Sequence, residues 1–505
     1  MQKFLKRKDV YYCATAVLLL VGCAVRLWGL STLPCGLHQD EAFAGYEAWA
    51  LLNHGTDSVG YHNPVYFTSW GSGMNALEIY MMLPFVALFG TATTALRLPQ
   101  AIVGCLSLFA VYGFGKRAFG RRFALGALAV LALCPWHIIM SRWAMESNLA
   151  PGFLLFGLYC FVRGLTCTRW LYASAVAYGL SLYAYATIWP IVPLIVLLQA
   201  GYALAYRKLC VKKLLGPAVI LFLFALPLLW FLGVQMGFLS EIRTAVFSIP
   251  KMLEFRGNEI SLSHIGENLR TAWRVLWNQC DSSSWTEQMP FGLYYPFWLP
   301  LAALGLYALV TESLSAVKQH VFTFQPFILF NLFGAVVLCA LIEEVNVVRM
   351  NAIHIPILLC IAYGIYFLCR NFGLWIKVLF CLLYGICFLL FGWQTVTTYN
   401  DAIRADFNEG LRQAVVYAQQ VRGDLPVFVN GNAYYSQVLL FAEVPPSEFS
   451  HDDVRHFDGI TMGYDSSSPY QAVYVIPFVQ QESYAKQGYS ITPFALWATA
   501  IPPAE

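Results

Sequence analysis

Two adjacent carboxylates, Asp40 and Glu41, stand about ten residues after the first long apolar run, within Leu37-His38-Gln39-Asp40-Glu41-Ala42. A carboxylate held within hydrogen-bond reach of a hydroxyl can accept its proton while the oxygen attacks an electrophile. On a helix, neighbours point about 100° apart, so the two acids need not share a role. A plain alternative is a solvated helix start, where acids complement the N-terminal dipole. The same segment continues through Gly45-Tyr46, Gly55-Thr56-Asp57 and His62-Asn63-Pro64-Val65-Tyr66. A second polar cluster runs from Pro135-Trp136-His137 to Ser141-Arg142-Trp143-Ala144-Met145-Glu146-Ser147-Asn148. There Arg142 and Glu146 have the spacing of a simple helical ion pair. A third reads Glu343-Glu344-Val345-Asn346-Val347-Val348-Arg349-Met350-Asn351. Alone, this reads as a loop between two spans with ordinary polar residues.

The elements that must position these residues are membrane spans. Of 505 residues 59% are hydrophobic and only 12% charged, against roughly 25% charged in soluble chains. The formal net charge of +3 and the lack of a dense Lys/Arg block argue against a nucleic-acid partner. Apolar runs occur near 10–30, 93–115, 122–141, 149–166, 170–187, 189–206, 214–234, 294–312, 324–342, 353–369 and 374–396. The first is too long for a cleaved signal peptide and reads as a retained span. Residues 73–90 are apolar but short and interrupted by Glu78 and Pro84. If they lie along the surface, the basic residues fall on one side: Lys3 to Lys8, Lys116 to Arg122, Arg163 and Arg169, Arg207 to Lys213, Lys318, and Arg370 with Lys377. The positive-inside rule then puts the N-terminus in the cytoplasm and the C-terminus outside, with about eleven spans.

This predicts an all-α polytopic membrane domain over 1–396, in the cell (plasma) membrane, with outer loops 31–92 and 235–293. Composition changes after 397. Asn408 to Gln420 reads as an amphipathic helix, and Pro426 to Asn430, Gln471 to Ile476 and Tyr489 to Leu496 as strands. A small extracytoplasmic α/β domain over 397–505 follows. All three polar clusters then face outward.

In this setting Asp40-Glu41, with its Gly and aromatic neighbours after the first span, resembles the acidic motif of GT-C membrane glycosyltransferases. The likeness is greatest to the protein O-mannosyltransferase family (glycosyltransferase family 39), and the lipid A aminoarabinose transferases are similar. It covers roughly residues 10–200. The resemblance implies the GT-C fold, a polyprenyl-phosphate sugar as donor and an inverting transfer to a hydroxyl of a protein, glycan or lipid. It implies Asp40 as catalytic base, Glu41 as its acidic neighbour, Glu146 as the second outer acid, and Arg349 as a holder of the lipid phosphate. His62, Tyr66, Arg142 and Asn351, in the same outer segments, are further candidates for binding substrate. The chain departs from the aminoarabinose transferases in reading Tyr66-Phe67-Thr68-Ser69-Trp70-Gly71 where they carry a Lys.

Asp40, Glu41, Glu146 and His38 or His62 could ligate a divalent metal, although no spacing forces one. Gly113-Phe114-Gly115-Lys116 follows no strand, so it is not a phosphate loop. A transporter or flippase of lipid-linked saccharides is the alternative. It would place ionisable groups at mid-membrane and often show repeated halves, whereas the span centres here are nearly free of charge and no repeat is visible.

Overall fold

In hydrocarbon a helix is favoured because it satisfies its own backbone groups. The computed structural model describes residues 2–70, 73–252, 254, 260, 262–281, 283–464 and 471–503, with the side chains of 2–9 excepted; Gly71 lies outside them. In chain order the helices are α1 (Gln2–Leu27), α2 (Gln39–His54), α3 (Ala76–Phe89), α4 (Thr93–Ala118), α5 (Arg121–Ala132), α6 (Pro135–Met140), α7 (Glu146–Gly164), α8 (Arg169–Ser181), α9 (Ile191–Ala205), α10 (Val211–Gln235), α11 (Ile265–Asn278), α12 (Trp298–Lys318), α13 (Gln325–Leu341), α14 (His354–Asn371) and α15 (Leu374–Thr397). Beyond them lie α16 (Tyr399–Ile403), α17 (Leu411–Val421), α18 (Tyr435–Ala442) and α19 (Gln481–Ala485).

Each predicted apolar run carries a helix. Among the described residues seven helices are long and apolar enough to cross a bilayer unaided, including α1, α4, α10, α12 and α15. The run 122–141 is divided into α5 and α6, because Pro135 lacks an N–H and suits a helix start. The segment 73–90 forms α3, a short apolar helix that packs on α2 and α4.

The strands are β1 (Tyr66–Phe67), β2 (Met74–Asn75), β3 (Ile242–Arg243), β4 (Ser248–Ile249), β5 (Val427–Val429), β6 (His456–Phe457), β7 (Ile460–Met462), β8 (Val473–Pro477), β9 (Ser490–Phe494) and β10 (Trp497–Ile501). The last six form one sheet in the order β6-β7-β5-β8-β10-β9. β5 runs parallel to β7 and β8, with Val427 opposite Val473, and the other pairs are antiparallel. The strands predicted at 426–430, 471–476 and 489–496 correspond to β5, β8 and β9. The helix predicted from Asn408 starts at Leu411 instead, because Asn408 and Gly410 both take positive φ.

The C-terminal segment does not stand apart. One apolar core joins Phe43, Tyr46 and Ile79 of α2 and α3 to Val438 and Leu440 of α18 and Val475 of β8. Polar contacts reinforce it: Gln437 Nε2 donates to the Leu37 carbonyl at 2.6 Å and Ser436 Oγ to that of Gln39 at 3.0 Å. Gly36, at φ 62°, lies so close to the Phe407 carbonyl that a Cβ would sit 2.1 Å from its oxygen, so only glycine fits there.

A second polar seam closes the far end of α2. Buried Glu47 accepts from the Ser58 N–H at 3.0 Å and hydroxyl at 2.5 Å, and Ser58 Oγ meets His451 Nε2 at 2.9 Å. Asp57 Oδ1 accepts from the N–H groups of Val59 and Tyr61. Burial outweighs those hydrogen bonds and pushes the Asp57 carboxyl up to about 6. A raised folded-state value gives stability that is complete below the unfolded value near 3.8 and is lost as pH rises through about 6. Asp57→Asn, which keeps the Oδ1 acceptor, is therefore expected to unfold at a higher temperature than wild type at pH 7 and at nearly the same temperature at pH 4. The gap corresponds to at most about 3 kcal/mol. Thermal unfolding in detergent at the two pH values checks it; an equal difference at both would contradict it.

Candidate active site

The site begins with the cap of α2. His38 is the N-cap, and its Nδ1 accepts from the Asp40 N–H at 3.3 Å. Glu41 closes the capping box by accepting from the His38 N–H at 3.0 Å. That contact folds Glu41 back into the protein and leaves Asp40, one position earlier, turned the other way.

Glu41 is an anchor. Arg97 of α4 binds it bidentately, Nε to Oε1 at 2.7 Å and Nη2 to Oε2 at 2.8 Å, with both side chains 0% exposed. The remaining Arg97 donors reach the carbonyls of Leu30, Pro34 and Gly36 at 2.7–3.0 Å. Glu41 Oε1 also accepts from the Ala144 N–H at 2.7 Å. One buried pair thus ties together the segment after α1, α2, α4 and the turn before α7.

Asp40 lines a cavity of roughly 500 Å³. Facing it from other elements are Tyr66, Asn75, Glu146, Tyr185, Trp285 and Arg349. Glu146 is the first residue of α7, and its Oε2 accepts from the Asn75 N–H at the start of α3. Arg349 pairs with Glu344 at 3.0 Å, and its side chain is 20% exposed against 71% for its partner. Asp281 holds that turn in place: its Oδ2 accepts from the Val347 N–H at 2.7 Å, and its Oδ1 from the Ser283 N–H at 3.0 Å. Trp285 packs on His38 and Trp143, with ring centroids 5.5 and 5.3 Å apart.

Glu78 on α3 is fully buried, and neither carboxyl oxygen has a hydrogen-bond partner among the described residues. Burial, followed by the charges of Glu146, Glu41 and Asp40, raises its carboxyl far above the usual range.

Three of the expected substrate-binding residues lie elsewhere. Arg142 is buried and donates to the carbonyls of Trp28 and Leu33 at 2.7 and 2.8 Å. No helix spans both Arg142 and Glu146, since α6 ends at Met140 and α7 starts at Glu146; the i, i+4 relation therefore has no structural basis. Asn351 is buried and donates to Asn148 Oδ1 at 3.3 Å. The His62 ring meets the Gly55 carbonyl at 2.8 Å, away from the cavity lining. Tyr66 does line the cavity, its ring packed at a 32° tilt against that of Phe231, with centroids 4.7 Å apart.

Arg97, Asp281 and Trp285 were not singled out by sequence. Arg97 carried a signal, a charge inside an apolar run, which usually marks a buried partner. A divalent ion is poorly served by this arrangement. Among the described residues no three His, Cys, Asp or Glu side chains converge as ligands; Glu41 is committed to Arg97, and His38 Nδ1 to the helix cap.

Residues 77–231 match the sequence profile of the family described as dolichyl-phosphate-mannose-protein mannosyltransferase. A stretch of 128 residues is 28% identical to the protein of Bacillus subtilis (strain 168) named "Putative mannosyltransferase YycA". That match spans 24% of this chain and 19% of YycA's length. Across nearly the whole chain the structure resembles ArnT from Cupriavidus metallidurans. The crystal structure bound to undecaprenyl phosphate gives a TM-score of 0.55 at 14% identity, covering 98% of this chain and 99% of that one. The apo structure gives 0.56 at 13% identity, covering 99% and 100%. At such identity the likeness is one of fold. The chain is a membrane-embedded protein with the GT-C fold and a small C-terminal sheet, as its Asp-Glu motif and spans predicted.

Proposed function

We propose that this protein transfers a sugar from a polyprenyl-phosphate donor to an acceptor hydroxyl, in the cavity that Asp40, Glu146 and Arg349 share. Their convergence from three separate segments is the observation that carries the proposal. The membrane-embedded GT-C fold supports it, as do the match over 77–231 and the polyprenyl phosphate seen in ArnT.

In this reaction Asp40 accepts the proton of the acceptor hydroxyl as its oxygen bonds to the anomeric carbon. The bond from that carbon to the phosphate oxygen breaks, and its electron pair leaves with the lipid phosphate. Attack opposite the leaving group inverts the anomeric centre. Arg349, whose exposed partner Glu344 gives way readily to an incoming anion, stabilises the charge growing on the phosphate. Glu146, fixed by the Asn75 N–H, bounds the donor's sugar on the other side. The positive-inside rule supports a reading in which the cavity opens at the outer membrane face, with 1–396 as the catalytic membrane unit and 397–505 as an outer domain packed over it.

Arg349→Gln is expected to lower turnover by about 10²-fold, as for loss of one transition-state donor. Arg349→Lys should recover part of it, since a point charge remains but the fork is lost. Initial rates with saturating donor check this. The test of the function itself is incubation of purified protein in detergent with polyprenyl-phosphate mannose and polyprenyl-phosphate aminoarabinose plus candidate acceptors, followed by mass analysis. A hexose- or aminopentose-sized gain on an acceptor supports the proposal. Release of free sugar or no reaction with every donor, from folded protein, counts against it.

A further inference from the structure

The second outer segment contains a helix whose surface does not suit water. On α11, Asn268, Ala272, Val275 and Leu276 are buried against the protein. Ile265, Leu269, Trp273 and Trp277 are exposed, the two Trp at 52% and 60%. At about 100° per residue these four form a stripe beside the buried face. Arg270 and Arg274, both exposed, follow on the stripe's other flank, and neither is in an ion pair among the described residues. Around the helix the order is protein, apolar stripe, cations. A helix of 14 residues is too short to span, but this pattern suits one lying in a membrane interface, with Trp at headgroup level and Arg reaching the phosphates.

The neighbouring helix fixes the level. On α13, Phe333 and Val336 are exposed and Val337 and Ala340 half-buried, a stripe that faces lipid if α13 lies in the bilayer. Asn268 Nδ2 donates to the Ala340 carbonyl at 3.1 Å. α11 is therefore docked where the lipid-facing stripe of α13 ends, just before the turn that carries Arg349 to the cavity.

We propose that α11 is a membrane-contact helix, with Ile265, Leu269, Trp273 and Trp277 inserted into the adjoining leaflet and Arg270 and Arg274 on the phosphates of anionic lipids. This placement needs only the bilayer and not the transfer reaction. The same segment supplies Trp285 to the cavity, so the lipid surface would also steady one wall of the site.

The test uses full-length protein reconstituted in vesicles of acyl-brominated phosphatidylcholine or acyl-brominated phosphatidylglycerol, reading Trp emission. Two of the chain's 15 Trp are at issue, so wild type is compared with the conservative variant Trp273→Phe/Trp277→Phe. A bromine-quenched component present in wild type and missing from the variant is expected, with stronger quenching by phosphatidylglycerol that Arg270→Gln/Arg274→Gln abolishes. Equal quenched amplitudes in wild type and the Trp variant would overturn the insertion, and quenching of the two Trp by acrylamide would place the stripe in water. Equal quenching of wild type by the two lipids would overturn the anionic headgroup contact.

Discussion

Asp40→Asn is expected to reduce turnover by about 10²–10⁴-fold, the usual contribution of a positioned general base, while leaving donor affinity close to wild type. The substitution is nearly isosteric: the cap bond comes from the backbone N–H of residue 40 to His38, which Asn retains, and the side chain's 3.5 Å contact of Oδ2 with His38 Nδ1 is altered only in charge. The amide cannot take up the hydroxyl proton, so the loss falls on the chemical step and appears in kcat rather than in KM. Titration with a non-transferable polyprenyl-phosphate analogue separates the two. Equal loss of binding and turnover would mean that Asp40 holds the donor rather than the proton, and wild-type turnover would remove it from the reaction.

Arg97→Ala is expected to be the most damaging change for stability, at about 3–5 kcal/mol, the cost of leaving one member of a buried ion pair uncompensated. Glu41 would remain 0% exposed with its charge unmatched, and the carbonyls of Leu30, Pro34 and Gly36 would lose their donor. Glu41→Gln should cost less, since one oxygen still accepts from Arg97 and Ala144. Because the pair fixes the first turn of α2, Arg97→Ala should also lower the activity of whatever protein does fold. Unfolding midpoints of the detergent-solubilised variants provide the check, and a midpoint for Arg97→Ala within a degree or two of wild type would contradict this assignment.

The divergence of Asp40 and Glu41 could be foreseen from the angle between successive helical residues, and the helices from the length of the apolar runs, seven of them long and apolar enough to cross a bilayer among the described residues. What sequence did not disclose was pairing at a distance. Arg97 lies 56 residues from Glu41 and meets it only because α2 and α4 both pack on α3. Arg142 is spent on structure: it donates to four backbone carbonyls at and just after the end of α1, those of Val25, Trp28, Gly29 and Leu33. His62 and Asn351 share segments with cavity residues but face other ways, which spacing within irregular loops does not encode. Glu78 interrupts an apolar helix, and its burial beside the acids of the site emerges only from the fold. The change in composition after 397 marked the sheet but gave no hint that α18 shares a core with α2.

The most direct measurement of the central claim is the anomeric configuration of the transferred sugar, determined by NMR on product made from a donor of known configuration. Direct displacement of the lipid phosphate by a hydroxyl deprotonated at Asp40 predicts complete inversion in wild type and the same inverted product, formed about 10²–10⁴-fold more slowly, with Asp40→Asn. A product of retained configuration would require a covalent glycosyl-enzyme intermediate or a different reaction, and would contradict the account.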